Sequence, residues 1–218
     1  MKHAKKALCL LLACLILPLA GCGKKNDTSD PDELQPAAAT ATPEPTPEPS
    51  PSPTPVPKVA IEDYQYFLLT NSTLAVIFKY PSHWINQPGK STISYIEPVN
   101  PGETPARLAV TSKSMTQKPG SKELKAQLDS FLALVEAQCP DYEAGEYKDN
   151  VAIMETTGIR QRYTARDPDT NVAITGYALV CYVRSARRIY LLHFTAPTRD
   201  YDELSVVVDV IRESMSTT

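Results

Sequence analysis

Histidine is scarce in this sequence, three residues in 218, and its five cysteines include no C-x-x-C pair. With no His-x-x-x-His either, the usual zinc-ligand spacings are missing, and no metal or cofactor is expected. No P-loop, dinucleotide fingerprint or G-x-S-x-G turn occurs, and the acidic residues follow no spacing that suits acid–base chemistry. Ser82 stands beside His83, but adjacency does not make a nucleophile–base pair. Long apolar runs are missing too. The longest, Ala7 to Ala20, makes a helix of roughly 21 Å against a hydrocarbon core of about 30 Å. A multidomain enzyme and a polytopic membrane protein are both excluded.

What is present falls into three regimes. Residues 1–21 carry Lys2, Lys5 and Lys6 ahead of the short apolar run, the pattern of a secretory signal. Residues 22–58 form a spacer holding ten of the twenty prolines. Residues 59–218 have the mixed apolar and polar character of one globular domain. Removing 1–21 deletes three lysines and no acid, which moves the formal charge from −3 to −6. Such a chain is a poor match for nucleic acid.

Leu19-Ala20-Gly21-Cys22 resembles the lipobox of bacterial lipoproteins. That resemblance implies diacylglycerol on the Cys22 sulfur, cleavage before it, and a cell-membrane anchor on the extracytoplasmic face. Two acyl chains suffice for stable anchoring. Lys24 and Lys25 follow the anchor and suit anionic headgroups. From Thr42 to Pro57 proline alternates with Glu, Thr, Ser or Val, which favours polyproline II at about 3.1 Å per residue. These sixteen residues make a semi-rigid stalk of roughly 50 Å. Asn26 to Ala41 has too few large apolar side chains to fold and is expected to be disordered.

Within 59–218, Leu74 to Tyr80, Ser91 to Ile96 and Arg107 to Thr111 have strand character, and Tyr64 to Leu69 is a fainter first strand. Leu124, Leu128, Phe131, Leu132 and Val135 follow helical spacing between Ser121, the expected N-cap, and Pro140. Val151 to Arg166, Asn171 to Arg184 and Arg187 to Thr195 are expected to form an antiparallel meander. The second strand has Ile174, Ala178 and Val180 on one face and Tyr177, Leu179, Cys181 and Val183 on the other, so it needs cover on both sides. A closing helix over Asp200 to Met215 presents Leu204, Val207, Val208 and Ile211. The fold class is α+β: an antiparallel sheet with helices on both faces, a three-layer α/β/α sandwich.

LAVIFKYPSHW, residues 74–84, resembles the strand-then-YPxxW opening of PsbP-like and DcrB-like domains, and Tyr190 to Met215 fits their ending. The resemblance spans most of residues 64–216. It implies a non-catalytic binding or assembly module; taken with the lipobox, the stalk and the lack of a catalytic constellation, the expected partner is an envelope protein or polymer. Two other readings stand beside it: an envelope hydrolase, or accessory to one, that uses His83 or His193, and a small-ligand carrier.

Trp84 is expected to fold back over the core, and His193 to be a hydrogen-bonded residue of its strand. Cys139 and Cys181 are expected to be free thiols. Arg160, Arg162 and Arg166 alternate along one strand and share a face with Thr164, while Arg184, Arg187 and Arg188 cluster at the next hairpin. The first three are the candidate site for an anionic partner, with a face of surface ion pairs as the plainer reading.

Overall fold

The computed structural model describes residues 54–218. The leader, Cys22 and the stalk up to residue 53 lie outside the described residues. A 3-10 turn at Ile61–Asp63 leads into nine strands and two helices. They are β1 (Tyr66–Asn71), β2 (Val76–Pro81), β3 (Ile85–Pro88), β4 (Thr92–Ile96) and β5 (Arg107–Ser114). After helix α1 (Ser121–Gln138) come β6 (Glu143–Ile153), β7 (Thr156–Arg166), β8 (Ala173–Val183) and β9 (Arg188–Pro197), and helix α2 (Tyr201–Ser214) closes the chain.

Seven strands pair antiparallel in the order β3-β4-β5-β9-β8-β7-β6, and β1 and β2 form a separate ribbon. The centre of the sheet is β9 and β8, and both are apolar on both faces. On one face Tyr177, Leu179, Cys181, Val183, Tyr190, Leu192 and Phe194 join Leu204, Val207, Val208 and Ile211 of α2 and Val76 and Phe78 of β2. On the other, Ile174, Ala178, Val180 and Ile189 join Tyr163 of β7 and Leu128, Leu132 and Val135 of α1. The three-layer arrangement follows from this pattern, since each fully buried aliphatic or aromatic side chain contributes about 1.5–3 kcal/mol. Trp84 is 3% exposed and belongs to the α2-side core.

The order and faces of the expected elements are those observed, with three differences. The expected strand Val151 to Arg166 is two strands: Met154 takes a positive φ of 52° and turns the chain, so Val151–Ile153 end β6 and Thr156 begins β7. Most of β6 and all of β3 were not expected. The N-cap of α1 is Gly120, one residue before Ser121, and the Glu123 carboxylate accepts the Gly120 N–H at 2.7 Å.

At one end of the sheet the β7–β8 loop is fastened to β5. The Asp167 side chain, out of contact with solvent, accepts a 2.6 Å bond from Arg107 Nη1. Its second oxygen accepts the backbone N–H groups of Asp169 and Thr170 at 3.1 and 3.0 Å. Burial pushes this carboxyl up, but Arg107 and Thr170 outweigh it and hold it below the usual aspartate range.

Gly176 fits its strand because Tyr163, directly across from it, lays its ring over the backbone. A Cβ at this position would sit 2.6 Å from the Tyr163 ring and hydroxyl and 2.8 Å from the Phe194 carbonyl oxygen. Gly176→Ala should therefore cost about 2 kcal/mol or more, read as a lower urea midpoint at unchanged m-value. An unchanged midpoint would show that the Tyr163 ring can move without loss.

Candidate functional site

The three arginines of the candidate stripe keep the spacing of β7 but do not act together. The Arg160 guanidinium lies 5.7 Å from the Tyr177 ring centroid, and Nη2 donates to Glu146 at 2.9 Å. Arg162 lies 4.8 Å from the ring centroid of Tyr201, the first residue of α2. The two ring contacts are each worth about 0.5–2 kcal/mol; the one on Tyr201 holds the start of α2 to the sheet, and the one on Tyr177 ties β7 to β8. Arg166 is engaged elsewhere, with Nε donating to Asp141 at 2.8 Å and Nη1 to the Asn171 carbonyl at 3.0 Å. The geometry is of arginines committed to rings and carboxylates within the domain.

A pocket of about 140 Å³ opens where the chain enters the domain. The Val56 N–H donates to Asn100 Oδ1 at 2.7 Å, and Lys58 reaches Asp200 at 3.9 Å. The last stalk residues thus form one wall. Tyr64, His83, Glu97 and Glu203 line the rest. The His83 ring stands edge-on to Tyr64 with centroids 4.4 Å apart, and burial lowers its pKa.

Burial raises the Glu97 carboxyl, and Asp200 adds to the shift. The Ala106 N–H and Lys58 offset it in part. Tyr64 is pushed up to about 12 by burial and by Glu97. A neutral imidazole, a carboxyl inclined to hold its proton and a phenol are hydrogen-bonding groups for a polar ligand. Sequence reasoning picked out only His83 of this set. Glu97 and Asn100 lie in the connection between β4 and β5, and nothing local in the sequence brings Val56 to them.

His193 lies on the α1 side of β9, between Phe131 and Tyr163, with its ring centroid 4.8 Å from Phe131. Its Nε2 and the Tyr163 hydroxyl are 2.8 Å apart, the hydrogen-bonded strand role expected of it. Part of its surface still meets solvent, yet the surrounding apolar side chains pull its pKa down to about 4. Cys139 and Cys181 are free, and they pack on opposite faces of the sheet. Among the described residues no His/Cys/Asp/Glu group has a metal-holding arrangement, and no helix is long and apolar enough to cross a membrane.

These observations define the class as an antiparallel sheet covered by one helix on each face, the PsbP-like fold. No protein-family model matches the chain, and no curated protein matches it. Solved structures do. The cyanobacterial PsbP (CyanoP) of Synechocystis sp. PCC 6803 superposes with a TM-score of 0.50 at 11% identity, over 75% of this chain and 98% of its own. LpqN of Mycobacterium tuberculosis, described as involved in cell envelope biogenesis, gives 0.47 at 15% identity over 75% and 99%. The Ran-binding protein Mog1p of Saccharomyces cerevisiae gives 0.46 at 10% over 70% and 95%. The likeness to the cyanobacterial protein carries the fold and nothing further.

The low pKa of His193 sets a pH dependence. The unfolded imidazole titrates near 6.5 and the folded one near 4. Between these values the unfolded chain binds the extra proton, so this contribution is complete above about pH 6.5 and declines as pH falls towards 4. The loss should be about 1–3 kcal/mol, measured by urea unfolding across that range. His193→Gln should flatten the slope. An equal slope in both proteins would assign the acid sensitivity to other groups.

Proposed function

We propose that this protein is an extracytoplasmic lipoprotein, anchored through lipid on Cys22, whose PsbP-like domain binds an envelope protein or polymer without catalysing a reaction. The observation that carries the binding reading is the use made of the reactive side chains. His193 is hydrogen-bonded beneath α1, His83 is packed on Tyr64, and Cys181 is buried with its thiol pushed up to about 12. His193 and Cys181 are thus tied into the fold, and His83 lies on the wall of the small pocket beside Tyr64. The more enclosed pocket where the chain enters holds only about 140 Å³, against roughly 300–1,000 Å³ for ordinary small-molecule sites, and the larger hollows of about 310 and 650 Å³ are open notches on the surface. This favours recognition by surface over a ligand carrier or a hydrolase. The anchor rests on the lipobox at Leu19 to Cys22.

The full-length chain should incorporate labelled palmitate and fractionate with membranes, and Cys22→Ser should do neither. A Cys22→Ser protein that is still labelled and membrane-bound would remove the anchor from the reading. A polymer-hydrolysing activity of the wild-type chain that His83→Ala abolishes at an unchanged unfolding midpoint would replace binding with hydrolysis.

A further inference from the structure

Among the described residues outside the β8–β9 hairpin and its neighbours Lys113 and Lys118, seven of the twelve cations from Lys58 onward are paired, while Lys79, Lys90, Lys122, Lys148 and Arg162 are not. Lys58, Arg107, Lys125, Arg160, Arg166, Arg199 and Arg212 each lie within ion-pair distance of a carboxylate. The end of the sheet where β8 turns into β9 is where unpaired cations gather. Arg184, Arg187 and Arg188 come from this hairpin, Lys113 from the end of β5, and Lys118 from the loop into α1. Among the described residues none of these five forms an ion pair. All but Arg188 are exposed, and Arg188 Nη1 donates to the Ser112 hydroxyl at 2.8 Å. An open notch of about 650 Å³ runs between Lys118 and Arg184 over Tyr182. The acid in its wall, Glu155, accepts a hydrogen bond from the Ser185 hydroxyl. In a domain with 16 basic and 19 acidic residues, five unpaired cations at one tip concentrate positive potential there.

We infer that this tip binds a phosphate-bearing polyanion through several separate contacts. The cations belong to three neighbouring strands and a loop, β8, β9 and β5 being adjacent, so they cover a width of about 10 Å. A single phosphate would reach one or two of them, whereas a polymer engages the set and releases the counterions along it. The choice of a polymer over a lipid surface rests on the proposed anchor. β9 runs ten residues from Arg188 at this tip to Pro197, beside the Asp200 that meets Lys58. The tip thus stands roughly 30 Å from where the chain enters, and an anchor at Cys22 leaves it free to face away from the membrane.

The test uses the full chain carrying Cys22→Ser, so that no lipid contributes, with end-labelled long-chain polyphosphate followed by fluorescence anisotropy. Binding should appear at low salt and weaken as salt rises, with monomeric sodium phosphate a poor competitor. Lys113→Gln/Arg184→Gln/Arg187→Gln should weaken it by about tenfold or more and make the salt dependence shallower. Lys79→Gln/Lys148→Gln, with exposed cations away from the tip, should bind as the parent does. All three proteins should melt together. The inference is overturned if polyphosphate does not bind, if the two variants weaken equally, or if the triple variant binds normally. It is likewise overturned if vesicles of 3:1 phosphatidylcholine and phosphatidylglycerol bind the tip while polyphosphate does not. Any of these results leaves the palmitate experiment on Cys22 untouched.

Discussion

Everything in this domain depends on the two central strands being apolar on both faces. Leu179, Tyr190 and Leu192 point to one side, and Ala178, Val180 and Ile189 to the other. A sheet of that kind cannot leave either face to water, so two covers are required. One is α1. The other is α2 together with the β1–β2 ribbon, and Ser216 adds to it by bridging to Ile77. Even the backbone is adjusted to this packing: Gly176 has no side chain where the Tyr163 ring crosses it.

Filling both faces forces polar chemistry to the rims, the hairpin tips and the ends of the strands. Arg160 and Arg162 stand at such a margin, where their guanidinium planes meet Tyr177 and Tyr201 beside α2. His193 is the exception, a titratable ring set within the α1-side core. It is tolerated because Tyr163 meets its Nε2 and because burial keeps it neutral. The two ends of the sheet then differ in kind. The end that receives the chain is dense in paired charges, with Arg107, Asp167, Asp200 and Lys58 all engaged, while the β8–β9 tip has cations and few acids.

Legibility in the sequence followed the same division. The strands β8 and β9 and both helices were readable because burial imposes a period, and burial is what the apolar letters record. Strand β6 was not. Its residues Glu143 to Asn150 are all exposed, and what holds them extended is pairing with β7, interrupted by two register shifts. Only Val151 and Ile153 showed a strand pattern, and without the positive φ of Met154 they read as the start of β7. The arginine stripe was correct in parity and silent on partners. Alternation places Arg160 and Arg162 on one face, but Tyr201 comes from a helix some forty residues later, and no local pattern announces it. The pocket where the chain enters was illegible for the same reason, since Val56 and Asn100 meet only through the tertiary fold.

The sheet also decides the fate of the two cysteines. Cys181 lies among the α2-side core residues, and Cys139 packs from the end of α1 against the opposite face. A disulfide needs Cα atoms within about 7 Å, and a seven-stranded sheet lies between these two. Burial pushes the Cys181 thiol up to about 12 and raises that of Cys139 as well. Thiolate is the reactive form in exchange and oxidation, so burial keeps both in the less reactive protonated form at neutral pH. No disulfide therefore contributes to the stability of the described domain, which rests on the two cores and on the polar contacts that tie their margins.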